Sequence, residues 1–491
     1  MLSRKARKND TRQCLLDKNS GQEKTLAASK RPCYPPGMAS EVKFECLSAD
    51  LPVIGFTGAL GSGCTYLATG LKDFHGYQYC SLSQPIHDEI KRRGLKPTSK
   101  NLQDVGDELR EKNGLDYLAQ IALKEAEGEL KKQARKAAGL VVDGIRNTAE
   151  IQALRAWPHF YLLAVQANHE LREERVLAQA GRCTSADEFQ KADERDAEEQ
   201  KAHGQQVTRC NYLADIIVIN EHGISPDAQL DRQKYISEKL YNPYVMLIEH
   251  LAKGESPKES RAKPGEALMT LAYVESRRSS CVKRQVGAVI ATKEGDVVSA
   301  GHNDVPDASS PCIEDPRYGW CARDCVQEKV GQRLKHCPSC GKRIEISITC
   351  QQCGTAIDRF VKRCPDCKAD LDLDYRCSGC GAEVFEEFLP GASEDKTGKM
   401  LDMCRSLHAE ENAILNLSRT GVRLPEGAVL YSTTFPCNLC ANKIVAVGIR
   451  TVFYAEPYTM KEAEVVFGKK GVTLSRFEGV KSNAFFRLYS R

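Results

Sequence analysis

Four Cys-x-x-Cys pairs follow one another along the chain, and they restrict its fold more than any other sequence feature. The gaps between successive pairs hold nine, ten and nine residues. This spacing is typical of thiolates that bind zinc rather than of disulfides. The segment at residues 333–392 is therefore predicted to be an inserted module with two structural zinc sites. The predicted ligands are Cys337, Cys340, Cys350, Cys353, Cys364, Cys367, Cys377 and Cys380.

The order in which these pairs share two zinc ions is predicted from loop length. Pairing the first with the second and the third with the fourth closes shorter loops than crossed pairing, so sequential pairing is expected. Between the first and last of these cysteines the only aromatic residues are Phe360 and Tyr375, which offer little surface for stacking bases. A structural or interaction role is therefore favoured over contact with nucleic acid.

The composition of the 491-residue chain is that of an ordinary globular protein of two to four domains. A net charge of +4 is too small to indicate a nucleic-acid-binding protein. No stretch reaches the roughly 20 apolar residues that a membrane span needs, and no apolar core follows the basic N-terminus. Because zinc-binding thiolates fit a reducing compartment, a cytoplasmic protein without membrane contact is expected.

The pattern of apolar runs predicts an α/β fold with two domains. Residues 1–48 are polar and Lys-rich, which predicts a flexible tail. Residues 50–225 carry strand-like runs between helical patterns, which favours a parallel sheet. A helical connector and linker are predicted at residues 226–264, and a second domain at residues 265–491 surrounds the insertion. The strand-like runs lie at residues 51–57, 139–143, 160–165 and 215–219.

A glycine-rich loop follows the first of these runs and precedes a helix-like stretch, as a phosphate-binding P-loop does. Its backbone N–H groups are expected to bind the phosphates of a nucleoside triphosphate, and Thr65 to bind Mg²⁺. Cys64 stands where such loops carry the lysine that reaches the β- and γ-phosphates, so the usual charge for phosphoryl transfer is absent. The candidate nucleotide-binding residues are Gly58, Gly61, Gly63, Cys64, Thr65 and Asp143.

Residues 50–225 resemble the nucleoside monophosphate kinases in more than this loop. Asp143 and Arg146 look like the carboxylate at a strand end and the substrate arginine of that group. Gly181-Arg182 and Arg195-Asp196 resemble its lid elements. Three interpretations stay open. The domain senses a nucleotide without transferring phosphate, it is a kinase that uses another cation, or it is a structural relic.

His408-Ala-Glu410 and Pro436-Cys437-Asn-Leu-Cys440 together form the pattern H-x-E…P-C-x-x-C, the signature of zinc deaminases. His408, Cys437 and Cys440 would give a catalytic zinc three protein ligands and leave the fourth position to water. Glu410 is predicted to carry protons between that water and the ring nitrogen and amino group of a cytosine. A degenerate, inactive copy of the site is the alternative.

Several stretches around these ligands match one known family. They are Ser280–Ile290, Gly301–Pro306, Cys404–Ile414, Pro436–Ala441 and Phe453–Tyr458. In these stretches the second domain resembles the deoxycytidylate (dCMP) deaminases, although the usual Gly-Tyr-Asn-Gly reads Gly-His-Asn-Asp here. The resemblance implies a cytidine-deaminase-like α/β/α fold, a homo-oligomer, and a contact between Asn303 and the deoxyribose of the substrate.

The same resemblance suggests a further structural zinc, because related deaminases can carry one near the active site. The candidate ligands are Cys281, Cys312, Cys321, Cys325 and Cys404. Ordinary buried thiols are the alternative.

A P-loop domain joined to a deoxycytidylate deaminase, with zinc knuckles in the chain, resembles bacterial anti-phage deaminases. Those proteins deplete deoxycytidine nucleotides during infection, and a small RNA holds some of them silent. The resemblance implies deamination of dCMP, with dCTP as a second candidate substrate. It also implies a nucleotide effector at the P-loop domain and a regulatory small RNA as candidate partners. Two other functions stay open: deamination of cytidine or adenosine in RNA or single-stranded DNA, and a non-catalytic nucleotide sensor.

Overall fold

The computed structural model describes most of the chain beyond residue 49. The described residues are 50–132, 137–179, 181–197, 201–222, 229–255, 261–306, 310–315, 321–323, 404–457 and 461–489, with shorter pieces between 337 and 382 that include eight cysteines. The tail predicted at residues 1–48 and the candidate zinc ligand Cys325 lie outside these residues.

Five parallel strands form the first sheet in the order β5-β4-β1-β3-β2. They are β1 (Val53–Gly58), β2 (Gln78–Ser81), β3 (Leu140–Asp143), β4 (Phe160–Gln166) and β5 (Ile216–Ile219). Every residue of β1, β3 and β4 is buried, as expected for a parallel sheet covered on both faces. The predicted parallel sheet is confirmed. β2 was not predicted from the sequence, because its residues do not form an apolar run.

Helices cover both faces of this sheet, so Val53 packs in one core cluster while its neighbours Ile54 and Phe56 pack in another. The helices are α1 (Cys64–His75), α2 (Gln84–Arg92), α3 (Ser99–Asn113), α4 (Tyr117–Lys132), α5 (Thr148–Leu154), α6 (His169–Leu177), α7 (Ala186–Ala197) and α8 (Val207–Leu213). No helix in the described ranges is long and apolar enough to cross a lipid bilayer.

A continuous helical segment connects the two halves of the molecule. It consists of α9 (Gln229–Ile236), a π-helical stretch (Ser237–Val245) and α10 (Met246–Ala252). Pro243 lies inside the π-helical stretch. Proline has no N–H group to donate to the helix, which explains why the hydrogen-bond pattern changes there.

The second sheet has five strands in the order β12-β11-β10-β6-β7. Its elements are α11 (Pro264–Ser276), β6 (Gly287–Ala291), β7 (Val297–His302), α12 (Ala409–Thr420), β10 (Val429–Thr434), α13 (Asn438–Val447), β11 (Thr451–Glu456), α14 (Lys461–Lys469) and β12 (Thr473–Arg476). β10, β11 and β12 are parallel, whereas β6 runs antiparallel to both β10 and β7. The cysteine-rich segment lies between β7 and α12 and contains a hairpin of β8 (Ile348–Thr349) and β9 (Ala356–Ile357).

The last strand of the chain returns to the first sheet. β13 (Gly479–Val480) pairs antiparallel with β5 and is followed by α15 (Ser482–Tyr489). The backbone N–H of Val480 donates to Oε1 of Glu266 on α11 at 2.9 Å. Gly479 has a φ of 143°, and a Cβ there would lie 2.7 Å from the same oxygen, so glycine is required. The two halves are therefore joined by backbone pairing as well as by side-chain packing.

Candidate active site

The three predicted zinc ligands converge at the N-termini of two helices. His408 is the N-cap of α12, Cys437 is the N-cap of α13, and Cys440 lies in the first turn of α13. Nδ1 of His408 lies 3.2 Å from Sγ of Cys437 and 3.3 Å from Sγ of Cys440. A tetrahedral zinc ion with bonds of about 2.0 Å to nitrogen and 2.3 Å to sulfur separates such atoms by about 3.5 Å. The donor set and its spacing therefore fit zinc.

Cys437 is the more acidic of the two candidate thiolate ligands. A hydrogen bond with Cys440 and the nearby imidazole of His408 lower the pKa of Cys437 to about 4, whereas the contact with Cys437 and burial raise the pKa of Cys440. Hydrogen bonds with Cys404 and Cys437 raise the pKa of His408 to about 10. The thiolate and the neutral imidazole are the forms that bind zinc, so binding of the metal would release protons from Cys440 and His408.

Glu410 lies beside these ligands in the first turn of α12 and is only 4% exposed. Its Oε1 accepts a hydrogen bond from Oγ of Ser432, on β10, at 3.1 Å. Burial raises the pKa of Glu410. A raised pKa suits a carboxyl group that must both take up and release a proton near neutral pH. Ser432 was not predicted as a site residue, since one serine in a strand carries no signal of its role.

The side chain of Asn303, just after β7, is held by the protein itself. Its Oδ1 accepts a hydrogen bond from the N–H of Val286 at 2.7 Å, and its Nδ2 donates to the carbonyl of Arg284 at 2.8 Å. Asn303 thus anchors the loop that leads into β6. The next residue, Asp304, forms a backbone bridge with Leu407, directly before the first zinc ligand. A contact between Asn303 and a deoxyribose stays a prediction.

The eight cysteines of the insertion form two sets of four, which fit the two predicted structural zinc ions. One set is Cys337, Cys340, Cys377 and Cys380, and the other is Cys350, Cys353, Cys364 and Cys367. The predicted sequential pairing is wrong, because the first pair joins the fourth and the second joins the third. The Sγ atoms of Cys340 and Cys377 are 3.5 Å apart, as are those of Cys353 and Cys364. Zinc–sulfur bonds of about 2.3 Å place neighbouring ligands about 3.8 Å apart.

The nested arrangement has a simple physical reason. A module inserted into a loop leaves and re-enters its host at neighbouring points, which brings its first and last pairs together. The inner site closes a loop of only ten residues between Cys353 and Cys364, one more than each loop of the sequential arrangement. Because the entropy of loop closure changes slowly with loop length, it favours the sequential order only weakly.

The cysteines considered for a further zinc site do not form one within the described residues. Among these, no cluster of three or more metal-binding groups includes Cys281, Cys312, Cys321 or Cys404. Cys404 instead contacts His408, and their hydrogen bond lowers the pKa of Cys404. Because Cys325 lies outside the described residues, the further zinc stays a prediction.

The glycine-rich loop joins β1 to α1, where a P-loop is expected. Gly61 and Gly63 have φ values of 81° and 92°, which favour glycine. Oγ1 of Thr65 donates to Oδ2 of Asp143 at 2.7 Å, so the candidate Mg²⁺ residue and the carboxylate at the end of β3 are neighbours. Burial raises the pKa of Cys64 to about 12, so this position offers a neutral thiol to a phosphate. Nucleotide binding at the loop stays a prediction.

The P-loop is connected to the second sheet through the ends of β4 and β5. Nδ2 of Asn220 donates to the carbonyl of Ser62 in the loop at 2.9 Å, and its backbone N–H donates to the carbonyl of Gln166 at 2.7 Å. Nε2 of Gln166 then donates to the carbonyl of Ala455 on β11 at 3.3 Å. A chain of hydrogen bonds therefore joins the glycine-rich loop to the deaminase sheet.

This chain of hydrogen bonds ends close to the zinc ligands. Glu456, the residue after Ala455, accepts a hydrogen bond from the backbone N–H of Phe435 at 2.9 Å. Phe435 lies two residues before the ligand Cys437. A shift of β11 relative to β10 would therefore act on the segment that carries this ligand.

The family and the relatives that this chain matches are consistent with a zinc site at His408, Cys437 and Cys440. The family model described as the cytidine and deoxycytidylate deaminase zinc-binding region matches residues 263–456. The deoxycytidylate deaminase of Enterobacteria phage T4 is 30% identical over 192 residues, which are 39% of this chain and 77% of the phage protein. The chain belongs to the cytidine and deoxycytidylate deaminase family. Another member, the deoxycytidylate deaminase of Schizosaccharomyces pombe, is 25% identical over 323 residues, 65% of this chain and 70% of the yeast protein.

Relatives outside the deaminase family also match. A UPF0200 protein of Methanocaldococcus jannaschii is 30% identical over 169 residues, which are 34% of this chain and 81% of the archaeal protein. Among solved structures, the dCMP deaminase of cyanophage S-TIM5 aligns with a TM-score of 0.24 and 16% identity, over 44% of this chain and 100% of that one. A structural likeness of this size adds nothing to the family assignment from sequence.

Proposed function

We propose that this family member removes the exocyclic amino group of deoxycytidine nucleotides by hydrolysis, with dCMP as the main substrate and dCTP as a second one. The observation that carries the proposal is the convergence of His408, Cys437 and Cys440 beside the buried carboxyl group of Glu410. The relatives from phage T4 and fission yeast bear the name deoxycytidylate deaminase, which supports a deoxycytidine nucleotide as substrate.

The reaction follows from the positions of these side chains. Zinc, when bound, supplies a Lewis acid that lowers the pKa of a water ligand to about 7. Glu410 would carry the two protons of the water that attacks C4 of the cytosine ring, the first to N3 and the second to the departing amino group. One water and one cytosine nucleotide thus give one uracil nucleotide and one ammonia. The hydrogen bond from Ser432 keeps the Glu410 carboxyl in place for both proton transfers.

The direct test offers purified protein a panel of dCMP, dCTP, CMP, cytidine and short RNA or single-stranded DNA, and measures uracil products and ammonia. We expect dCMP to be converted, and Glu410→Ala to be slower by roughly 10²–10⁴-fold with its zinc content unchanged. The exposed Glu426→Ala serves as the matched control. Equal activity of Glu410→Ala and the parent would refute the mechanism. Preferential deamination of the strands, weakening steeply with salt, would favour the nucleic-acid alternative.

We also propose that the P-loop domain binds a nucleoside triphosphate with Mg²⁺ and regulates the deaminase. The hydrogen bonds from Ser62 through Asn220 and Gln166 to β11 support this coupling. The neutral thiol of Cys64 favours sensing over phosphoryl transfer. Thr65→Val, which keeps the side-chain shape, should abolish the effect of added nucleotide on the deaminase rate. Gly63→Val is a poor test, because a Cβ there would lie 2.2 Å from Nδ2 of Asn220 and would disrupt the connection itself.

We propose for the cell that the protein acts in the cytoplasm as a homo-oligomer and depletes deoxycytidine nucleotides during phage infection, with a small RNA as its inhibitor. The resemblance of the fused arrangement to anti-phage deaminases supports this role, and none of the described cysteines forms a disulfide. Deoxycytidine nucleotide pools should fall after infection in cells that express the parent protein and stay level with Glu410→Ala. Equal pools in the two strains would exclude the role in defence.

A further inference from the structure

Glu456, the last residue of β11, has a largely buried carboxyl group among three cations. Its side chain is 16% exposed. Burial raises the pKa of Glu456, while the charges of Lys481, Arg284 and Arg277 act in the opposite direction. A buried carboxylate costs free energy unless cations and hydrogen bonds compensate it. The reaction proposed above does not use this group, so its burial among cations needs another explanation.

The interface between the two domains holds one side of this carboxyl group. The hydroxyl of Tyr273, on α11, donates to Oε1 of Glu456 at 3.2 Å. Nζ of Lys481 lies 5.0 Å from the centre of the Tyr273 ring. The same ammonium group donates to the carbonyl of Tyr212, in α8 of the P-loop domain, at 2.9 Å. Glu456 is therefore linked through Tyr273 and Lys481 to the P-loop domain.

The other side of the carboxyl group faces the loop that leads into β6. Nη2 of Arg284 lies 3.9 Å from Oε2 of Glu456, which is an ion pair without a direct hydrogen bond. The carbonyl of Arg284 accepts the hydrogen bond from Nδ2 of Asn303. The loop at residues 280–286 is therefore held at Arg284 by the side chain as well as by the backbone.

This loop adjoins the strands that hold the proton-carrying group of the candidate active site. β6 begins directly after the loop, and Ala288 of β6 pairs with Ser432 of β10, which donates to Glu410. The backbone N–H of Gly287 donates to Oγ1 of Thr433 at 3.2 Å. A displaced loop would therefore shift the strand that lies against Ser432. Misplacement by about 1 Å is enough to slow an enzymatic reaction strongly.

We propose that Glu456 is a positioning residue of the deaminase. Its carboxylate holds Arg284, and with it the loop at residues 280–286, in a place that the interface between the domains sets. Glu456 acts on the site through Arg284 and is not itself a catalytic residue. The position of the loop is independent of the reaction, and only the effect on the deamination rate rests on the function proposed above.

Hydrogen exchange read by mass spectrometry tests the position of the loop in the full-length, zinc-loaded protein without substrate. Glu456→Gln keeps the shape of the side chain and removes its charge. We expect residues 280–286 to exchange faster by roughly two- to fivefold, as the loss of a partly exposed ion pair predicts, and the first sheet to exchange as before. Arg284→Gln should give the same increase, and the double variant no more than either single one, because all three remove one pair.

The matched control is Arg278→Gln, which removes a neighbouring arginine that pairs with Glu275 at 3.0 Å. It should exchange like the parent. Parent-like exchange of residues 280–286 in both Glu456→Gln and Arg284→Gln would overturn the proposal. Faster exchange throughout the chain would assign Glu456 to overall stability and would overturn it too. If Glu456→Gln does not fold, Arg284→Gln tests the same pair from a side chain that is 40% exposed.

Steady-state kinetics with dCMP test the effect on the reaction. We expect kcat to fall by roughly tenfold in Glu456→Gln and in Arg284→Gln, with zinc content and melting temperature unchanged, and Arg278→Gln to match the parent. A loop that exchanges faster while kcat stays at the parent value would also overturn the positioning role. A parent protein that does not convert dCMP would contradict the proposed function instead, and the exchange of residues 280–286 would still decide whether Glu456 holds the loop.

Discussion

The orientation of the buried Glu410 carboxyl group depends on a hydrogen bond from a single side chain. Ser432 contributes one hydrogen bond to Glu410, from a strand whose sequence gives no hint of it. A carboxyl group that carries protons must keep its orientation through both transfers, so this bond should affect the rate and not the metal.

Ser432→Ala should lower kcat by roughly tenfold, which corresponds to the loss of one hydrogen bond to a charged group. Zinc content should be unchanged. The control is Ser299→Ala, which also removes one hydrogen bond from a serine hydroxyl group. Oγ of Ser299 donates that bond to the carbonyl of Ala413 on α12 at 2.7 Å. Steady-state kinetics with dCMP would measure the difference. A kcat for Ser432→Ala equal to that of Ser299→Ala would show that the bond has no role in catalysis.

Lys481, just after β13, should make the free energy of unfolding change with pH in the alkaline range. Its ammonium group is buried and donates to the carbonyls of Asn211 and Tyr212 at 3.1 and 2.9 Å. Burial lowers the pKa of Lys481 from 10.5 to about 8. Between these values the unfolded chain holds the proton and the folded chain does not, so rising pH favours the folded state.

The free energy of unfolding of the parent minus that of Lys481→Met should therefore rise between pH 8 and pH 10, by up to roughly 3 kcal/mol. Thermal melts of both proteins across this range would measure it, and effects of pH on the zinc cysteines cancel in the comparison. A stability difference that stays constant with pH would contradict the burial of a titrating ammonium group.

At the scale of elements, the insertion is built as one site inside another. The hairpin of β8 and β9 lies in the inner site, and the outer site joins the two ends of the module. The outer site therefore uses the first and fourth Cys-x-x-Cys pairs, and the inner site uses the second and third.

Double substitutions distinguish nested from sequential pairing by counting metal. Cys340→Ala with Cys377→Ala removes two ligands of one site and should leave two of the three expected zinc ions per chain. Cys340→Ala with Cys350→Ala damages both sites and should leave one. Elemental analysis of the purified proteins gives the counts. The reverse result, with two ions lost in the first variant and one in the second, would restore the sequential arrangement.

Over the whole molecule, the two domains are packed and hydrogen-bonded as one unit. β13 belongs by sequence to the deaminase half, yet it completes the sheet of the P-loop half. The bond from Gln166 to the carbonyl of Ala455 links the same two sheets next to the P-loop. Such contacts allow a ligand in one half to bias the other, provided that it prefers one arrangement.

Gln166→Met should uncouple the domains while it preserves the shape of the interface. We expect the deaminase rate without effector to stay within about twofold, and the response to added nucleotide to shrink toward none. Gln78→Met, on β2 at the far edge of the same sheet, is the matched control and should respond like the parent. An unchanged nucleotide response in Gln166→Met would show that this bond does not transmit regulation.

The amino-acid sequence alone was sufficient to predict that the candidate zinc ligands His408, Cys437 and Cys440 converge, to predict the parallel sheet, and to show Cys64 in place of the P-loop lysine. Each of these is recognisable from residue types in short motifs, namely His-x-Glu, Cys-x-x-Cys, the glycine-rich loop and apolar runs of strand length. The existence of two cysteine sites was likewise predictable from the count and spacing of the pairs.

The tertiary structure alone decided the nested pairing of the cysteines, the bond from Ser432 to Glu410, the return of β13 to the first sheet, and the contact from Gln166 to Ala455. These features join common residue types over separations that range from 11 positions, between Cys353 and Cys364, to 289 positions in the last case. No local pattern specifies such a partner, since the choice depends on which surfaces the whole fold brings together. The sequence therefore predicted the chemistry of the candidate zinc centre, and the fold determined what that centre is connected to.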